Sequence, residues 1–242
     1  MSLCFPEKDL SWKKNILKSV YVNLGINLFE FFYLPELDQK KINGLVDFEN
    51  HNIVESSAGK KRGTFFLSAH YSNWELTAFA FSIKYGSSLK IIAKAQSSKK
   101  LNARINEYRT SGGNEILQIG YSLRSIFEML DRNEITCFLI DQSANPDYSV
   151  YVNFFGQNTA TFSGPAKIAL KKRPGLILAY GTMKKDFSYV INFENIEYED
   201  LQEYTDDNVV KLTQRIQSKL EEVIRKDPGQ WLWLHRRFKH IK

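Results

Sequence analysis

The stretch Thr64-Phe-Phe-Leu-Ser-Ala-His-Tyr-Ser-Asn-Trp-Glu75 carries the strongest structural pattern of this sequence. Its first six residues form a short apolar run of the kind typical of a buried strand. A polar turn follows, and then Leu76, Phe79, Ala80 and Ile83 recur at helical spacing. A strand, a polar turn and a helix in this order make half of a βαβ unit, so the stretch predicts an α/β fold with parallel strands.

The same alternation of strands and helices continues along the chain without a linker-like gap. Short apolar or alternating runs predict strands at 89–93, 115–118, 136–140, 150–155, 176–180 and 188–193, the last at an edge of the sheet. Helical spacing predicts helices at 11–32, with Ser11 as the N-cap, and at 98–111, 122–131, 163–172 and 209–223. We therefore predict one α/β domain covering residues 1–242, with a mostly parallel mixed sheet flanked by helices.

The net charge of +6 is unevenly distributed along the sequence. The segment from Glu194 to Asp207 contains acidic residues and no basic ones, so the basic excess lies in the rest of the chain. A basic surface suits an anionic partner, such as a membrane, a nucleic acid or an acidic carrier protein, although any single basic cluster also fits a solvated loop or helix end. We expect no nucleic-acid partner, because the sequence has no RRM, KH or helix-turn-helix signature.

Cysteine usage and known motifs restrict the class of protein further. Cys4 and Cys137 are too few for a disulfide framework or a four-cysteine zinc site, which indicates a reducing compartment. No segment has the pattern of a signal peptide, and the longest weakly charged stretches, 15–34 and 64–83, contain polar and charged residues that make them poor membrane spans. The sequence also lacks the GxSxG, P-loop, GxGxxG and HExxH motifs, so serine hydrolase, Walker-type NTPase, Rossmann dehydrogenase and zincin have no motif support.

Two titratable residues, His70 and Asp141, directly follow strongly apolar predicted strands. In parallel sheets ligands bind beyond the carboxyl ends of the strands, which makes both residues candidates for a site. If His70 lies in the turn and Glu75 in the first turn of the helix, the carboxylate can reach back to the imidazole and make it a general base. The alternative is that His70 caps the helix and Glu75 interacts with the helix dipole.

A set of motifs gives the sequence a family resemblance. The stretch from His70 to Glu75 is the HX4E form of the HX4D/E signature of the glycerolipid acyltransferase superfamily, and it resembles in particular the lipid A biosynthesis (lauroyl/myristoyl) acyltransferases. Further elements follow in the order of that family: Cys4-Phe-Pro-Glu7, Arg109, Gly112-Gly113, Asp141-Gln142, Val152-Asn-Phe-Phe-Gly156, Thr161, Gly164-Pro165 and Trp231-Leu-Trp-Leu-His-Arg-Arg-Phe-Lys239. The resemblance covers essentially the whole chain.

Two departures accompany the resemblance. Members of the family usually begin with a hydrophobic membrane-anchoring helix ahead of the CFPE-like segment, whereas this sequence begins at that segment. Two explanations are open for the absence of the anchoring helix from this sequence: the sequence is truncated, or a basic and aromatic surface substitutes for the helix. The strand predicted at 176–180 also lacks the proline that is common there in the family, which concerns the acceptor pocket.

The resemblance implies a glycerol-3-phosphate acyltransferase-like fold and an O-acyltransferase. Such an enzyme moves a fatty acyl chain from an acyl thioester, on acyl carrier protein or coenzyme A, to a hydroxyl of a lipid A-type glycolipid, with no cofactor and no metal. His70 would be the general base and Glu75 its orienting carboxylate. The substrate-binding residues would be Arg109, Asp141, Asn73, Ser163 and Gly164, with Asp141 holding Arg109 or a sugar hydroxyl and Ser163 as the N-cap of its helix.

The resemblance also implies where the protein acts. We expect a peripheral protein on the cytoplasmic face of the bacterial inner membrane, with an anionic membrane surface as a partner. The candidate headgroup contacts are Trp231, Trp233, Arg236, Arg237 and Lys239, although the same composition equally fits an aromatic core edge with basic fringes. The alternatives are an acyltransferase that acts on a phospholipid or aminolipid and a lipid-binding relative without catalysis.

Overall fold

The computed structural model describes residues 1–118 and 123–242. Within this part of the chain, a seven-stranded sheet has the order β1-β9-β8-β2-β5-β3-β4. Its strands are β1 (Val46–Glu49), β2 (Thr64–Ser68), β3 (Leu89–Ala93), β4 (Glu115–Gln118), β5 (Ile135–Leu139), β8 (Gly175–Met183) and β9 (Tyr189–Asn195). All neighbouring strands are parallel except β8 and β9, which pair antiparallel. The predicted mostly parallel mixed sheet in a single α/β domain is confirmed.

Helices cover both faces of the sheet. They are α1 (Leu10–Tyr33), α2 (Gln39–Leu45), α3 (His51–Gly59), α4 (Trp74–Tyr85), α5 (Lys99–Thr110), α6 (Leu123–Asp131), α7 (Gly164–Lys172) and α8 (Asp206–Lys226). One apolar core joins the sheet to α6, α7 and α8, and it includes Phe65 and Leu67 of β2. The other core joins the sheet to α2, α3 and α4, and it includes Phe66 of β2. Because β2 is buried on both faces, it reads as a continuous apolar run in the sequence.

Several predicted elements are confirmed within one or two residues, and some details are wrong. The strand predicted at 188–193 is not at an edge, because β1 pairs with β9 on its outer side. Helix α1 begins after Asp9, whose carboxylate accepts from Trp12 N at 2.7 Å, so Ser11 is not its N-cap. Ser122, predicted to open the helix at 122–131, lies outside the described residues.

A hairpin and the C-terminal segment close the carboxyl edge of the sheet. Strands β6 (Ser149–Phe154) and β7 (Gln157–Phe162) pair antiparallel in a separate two-stranded sheet. The segment after α8 then runs back along the turn that follows β2: Ser72 N donates to Gln230 O at 2.7 Å, and Leu232 N donates to His70 O at 2.9 Å. This pairing brings the last part of the chain to the residues that follow β2.

Helix α1 packs on the edge of this arrangement through a narrow inner face. Its buried residues are Val20 and Asn27, and the Asn27 side chain donates to Ser72 O at 2.6 Å. In the described ranges, none of the helices combines the length and the apolar character required to span a lipid bilayer.

Candidate active site

His70 and Asp141 meet at the carboxyl edge of the sheet because their strands are adjacent and in register. Strands β2 and β5 pair parallel with Ser68 opposite Leu139, and carrying that register two residues further places His70 opposite Asp141. His70 Nδ1 lies 2.9 Å from Asp141 Oδ1, and His70 N donates to Asp141 Oδ2 at 3.0 Å. The sequence analysis selected both residues as candidates for a site, and the structure shows that they contact each other.

Asp141 is a fully buried carboxylate that orients the imidazole. Trp231 Nε1 donates to Asp141 Oδ2 at 3.0 Å, so the carboxylate accepts from three N–H groups. Burial alone would raise the pKa of Asp141, but the hydrogen bonds and charge of His70, together with the bond from Trp231, lower it below its ordinary value. Because an ionised carboxylate only accepts, His70 Nδ1 is the donor, and Nε2 is left as the basic nitrogen.

Glu75 does not orient His70, contrary to the sequence-based prediction. Its carboxylate accepts from Arg109 Nε at 2.9 Å and from Arg109 Nη2 at 2.5 Å, and Oε1 also accepts from Trp74 Nε1 at 3.2 Å. The prediction that Asp141 holds Arg109 is wrong, because the Arg109 guanidinium is paired with Glu75. The Glu75–Arg109 pair is mostly shielded, with the two side chains 16% and 20% exposed.

A cavity of about 900 Å³ opens beside these groups. Its polar lining includes His70, Glu75, Arg109 and Ser163, and most of its wall is apolar. Phe65 and Phe66 both line the cavity although they belong to the apolar cores on opposite faces of the sheet, so the cavity borders both faces. A mostly apolar cavity with a few convergent polar groups is the usual form of a site for a small molecule or a lipid chain.

The remaining predicted substrate-binding residues divide between the cavity wall and the fold. Ser163 and Gly164 line the cavity. Ser163 occupies the N-cap position of α7, but its side chain makes no capping hydrogen bond. Asn73 is buried and has a structural role instead: its Oδ1 accepts from Leu76 N at 2.9 Å to cap α4, and its Nδ2 donates to Glu30 Oε2 at 2.6 Å. Both ends of the Asn73 amide are therefore engaged away from the cavity.

The C-terminal segment lies largely inside the protein rather than on a membrane-facing surface. Trp231 and Arg237 are each 1% exposed, so the prediction that they contact headgroups is wrong. Trp233 is half-buried, and its Nε1 donates to Pro228 O at 2.7 Å. Arg236 and Lys239 are exposed. The segment therefore matches the alternative reading, an aromatic core edge with basic fringes.

The buried side chain of Arg237 links the β6–β7 hairpin to α8 through hydrogen bonds. It donates to Ala160 O at 2.8 Å, to Thr161 Oγ1 at 2.6 Å and to Gln217 Oε1 at 3.3 Å. Burial lowers the pKa of Arg237 to about 10, partly offset by the charge of Asp141, so the guanidinium is still protonated at neutral pH. The buried cation is stabilised by the three acceptors of Nη1 and Nη2, whereas its Nε is buried without a hydrogen-bond partner among the described residues.

We expect Arg237→Ala to lower the free energy of unfolding by about 3–5 kcal/mol, because it leaves buried acceptors unpaired and opens a cavity. Arg236→Ala is the matched control, and its effect should stay within about 0.5 kcal/mol since Arg236 is exposed. Urea unfolding monitored by circular dichroism measures both, with Arg237→Lys as a milder variant should the alanine variant fail to fold. Equal stability of the Arg236→Ala and Arg237→Ala variants would contradict the internal role of Arg237.

His235 is a site residue that the sequence analysis did not single out. Its ring centroid lies 4.4 Å from that of His70, and its Nε2 is buried without a hydrogen-bond partner in the part of the chain that the structure describes. Burial lowers the pKa of His235, and charge on His70 lowers it further, partly offset by the charge of Asp141. The sequence feature that could have pointed to His235 is its position within the C-terminal motif, between Trp231 and Arg237.

Among the described residues, His70, Asp141 and His235 form a group with the chemistry to hold a metal ion. One ligand atom from each lies within 4.8 Å of the other two. The donor types are those that zinc takes, but the Asp141 oxygens already accept three hydrogen bonds from protein N–H groups. The absence of a metal and of a cofactor stays a prediction.

Comparison with known proteins assigns the chain a set of relatives. A family model described as bacterial lipid A biosynthesis acyltransferase matches residues 1–240. The chain is 23% identical to the lipid A biosynthesis palmitoleoyltransferase of Escherichia coli strain K12, over 99% of this chain and 76% of that enzyme. It is 28% identical to the phosphatidylinositol mannoside acyltransferase of Mycolicibacterium smegmatis over 59% of this chain, and the match spans 47% of that enzyme, less than half its length.

Proposed function

The chain belongs to the bacterial lipid A biosynthesis acyltransferase family, and on that premise we propose that it transfers a fatty acyl chain from an acyl thioester to a hydroxyl of a lipid A-type glycolipid. The observation that carries the proposal is the His70–Asp141 pair. A buried carboxylate fixes Nδ1 of the imidazole, and the histidine borders an apolar cavity of about 900 Å³. A general base next to a lipid-compatible cavity is what transfer of an acyl chain to an alcohol requires.

In the proposed reaction, Nε2 of His70 removes the proton of the acceptor hydroxyl as its oxygen attacks the thioester carbonyl. A neutral alcohol is a weak nucleophile, so proton removal during attack lowers the barrier. Asp141 stabilises the imidazolium that forms, through the Nδ1–H bond. The tetrahedral intermediate then expels the thiolate, which takes the proton from Nε2 of His70. The products are an ester and a free thiol, with no covalent acyl-enzyme.

Arg109 is proposed as the anion-binding group of the site, with Glu75 as its positioning residue. Two guanidinium nitrogens, Nε and Nη2, donate to the Glu75 carboxylate, which holds the planar group in one orientation at the cavity wall. Guanidinium groups bind phosphate well, and both a phosphorylated acceptor and a phosphopantetheine or coenzyme A donor carry phosphate. In this proposal Glu75 acts by holding the Arg109 guanidinium in position, and not by contacting His70.

The acceptor has a second candidate. Relatives in Mycolicibacterium smegmatis and Mycobacterium tuberculosis bear the name phosphatidylinositol mannoside acyltransferase, so a sugar-bearing phospholipid is an alternative acceptor for the same chemistry. The donor is proposed to be acyl carrier protein or acyl-coenzyme A. We propose that the protein works at an anionic membrane surface on the cytoplasmic face of the inner membrane, where both kinds of substrate would meet.

Acyl transfer by the purified protein tests the proposal. We expect mass spectrometry of a reaction with acyl carrier protein or coenzyme A thioesters to show the glycolipid acceptor gaining the mass of one acyl chain. A mannosylated phosphatidylinositol in a parallel reaction distinguishes the two acceptors. Lipid profiles of cells with and without the gene give the natural acceptor and chain length. Binding of acyl ligands without transfer to any acceptor would instead identify a lipid-binding relative without catalysis.

A further inference from the structure

Helix α1 carries a stripe of apolar side chains that point away from the core. Leu10, Leu17, Tyr21, Leu28 and Phe32 recur at intervals of seven and four residues and are all exposed. At 3.6 residues per turn they fall within about 60° of arc. Phe29, beside this stripe, is 79% exposed. We call these six residues the outer face of α1; contiguous exposed apolar surface of this kind marks an interaction site.

The charged residues of α1 are divided between its two sides, with basic residues outward and the acidic residue inward. Lys14 and Lys18 are exposed on the side of the helix that carries the outer face. Glu30 is the one acidic residue in the sequence of α1, and it points inward, where its Oε2 accepts from Asn73 Nδ2 and from the Tyr189 hydroxyl at 2.7 Å. The outward surface of the helix is therefore apolar and positive without a negative group.

Polar contacts on the inner side hold α1 in this orientation. Asn27 Nδ2 donates to Ser72 O at 2.6 Å, and Asn23 Nδ2 donates to Gly229 O at 2.9 Å. These bonds fix the rotation of the helix against the turn after β2 and against the C-terminal segment. The outer face is therefore held away from the core, and rolling it inward would break both bonds.

The aromatic end of the outer face lies beside the candidate site. The Phe32 ring contacts Tyr108 with ring centroids 6.0 Å apart, and Phe31 contacts the same ring at 5.5 Å. Tyr108 directly precedes Arg109, which lines the cavity. A surface that engages α1 would therefore come next to the group proposed to bind the phosphate of the substrate.

We propose that the outer face of α1 is a docking surface for an anionic lipid bilayer, lying in the headgroup region with its apolar side chains inserted. An amphipathic helix with aromatic and aliphatic residues flanked by lysines is suited to that position. An anionic leaflet neutralises Lys14 and Lys18, whereas the outward surface of α1 offers a second copy of the chain no acidic group for them. The inference rests on the proposed function in one respect, since docking here delivers a membrane-resident acceptor to the cavity.

Vesicle co-sedimentation tests the docking surface. We expect the protein to bind vesicles of phosphatidylcholine mixed with phosphatidylglycerol, and Phe29→Glu/Phe32→Glu to weaken the partition by about tenfold or more. Lys14→Glu/Lys18→Glu should weaken binding to these vesicles and abolish their preference over phosphatidylcholine alone. Tyr204→Glu is the matched control, because Tyr204 is exposed in the loop after β9, at the opposite edge of the sheet from His70.

Two outcomes would overturn the docking surface. One is that the Phe29→Glu/Phe32→Glu protein sediments with vesicles as the parent does. The other is that the parent is a dimer by size-exclusion chromatography and this variant a monomer with unchanged vesicle binding, which would assign the face to a second copy. Acyl transfer to a detergent-dispersed acceptor, measured in parallel, separates the two proposals, because it depends on His70 and not on the outer face of α1.

Discussion

We expect His70→Ala to lower the rate of acyl transfer by about 10²–10⁴-fold, the usual contribution of a general base. The imidazole Nε2 is the basic nitrogen of the cavity wall that the buried carboxylate holds in place, and alanine removes it. The variant should still fold, with a loss of about 1–3 kcal/mol in the free energy of unfolding, because Asp141 keeps the hydrogen bonds from His70 N and Trp231 Nε1. Single-turnover assays with saturating thioester measure the rate.

His51→Ala is the matched control for the loss of an imidazole. His51 is exposed at the start of α3, so its removal should leave both transfer and stability unchanged. Unimpaired transfer by the His70→Ala variant, with its fold verified by circular dichroism, would refute the proposed mechanism.

The second large effect is expected for Asp141→Asn, which should lower transfer by about 10²-fold or more. An amide offers one acceptor oxygen where the carboxylate has two, so it cannot serve all three N–H groups that meet at Asp141. If its NH₂ group faces His70 Nδ1, the imidazole takes the opposite tautomer and its Nε2 loses its basic lone pair. We also expect a loss of about 1–3 kcal/mol in the free energy of unfolding.

The pH dependence of stability distinguishes this variant from a simple packing defect. The pKa of Asp141 is lowered in the folded protein, so below the ordinary value of 3.8 the unfolded chain binds a proton there that the folded protein does not. The stability that Asp141 contributes is thus present above pH 3.8 and is lost as the pH falls further.

The advantage of the parent over Asp141→Asn should therefore shrink as the pH is lowered from neutral to below 3.8 in urea titrations. Asp200→Asn, which changes an exposed carboxylate paired with Arg215, is the control and should leave transfer unchanged. A constant difference between the parent and the Asp141→Asn variant across this range would show that the carboxylate is not held ionised by the site.

The sequence predicted the strands that carry an apolar or alternating run of residues, and it missed β1 and β7, which carry neither. Strand β2 is buried on both faces and was readable as an apolar run. Strand β1 is four residues long and includes two acids, and β7 carries threonines at buried positions, so neither has an apolar pattern. Their place in the fold comes from backbone pairing with β9 and β6, which local sequence does not encode.

The site residues were predictable in position but not in partnership. His70 and Asp141 follow apolar strands, which the sequence displays, but their contact depends on the order and register of β2 and β5. Glu75 is five residues from His70, and this proximity in sequence favoured a contact that the structure replaces with the Glu75–Arg109 pair. Long-range geometry thus decided which carboxylate serves the imidazole.

Composition also misplaced the surface proposed to face the membrane. The C-terminal motif and α1 are both rich in aromatic and basic residues, and their hydropathy does not distinguish the buried one from the exposed one. Leu17 and Leu28 of α1 are apolar residues at helical spacing, yet both are exposed. Asn27, a polar residue, takes the inner position because its amide pairs with Ser72 O.

The assembly of the site from distant parts of the chain has a consequence for how activity is acquired during folding. His70 is joined to Asp141 across 71 residues, and Asp141 to Trp231 across 90. Closing such large loops is slow relative to the formation of single helices, because their chain entropy is lost before the contacts form. During refolding, the helices would therefore regain their circular dichroism signal before the imidazole gains its carboxylate, and a population rich in secondary structure would still be inactive.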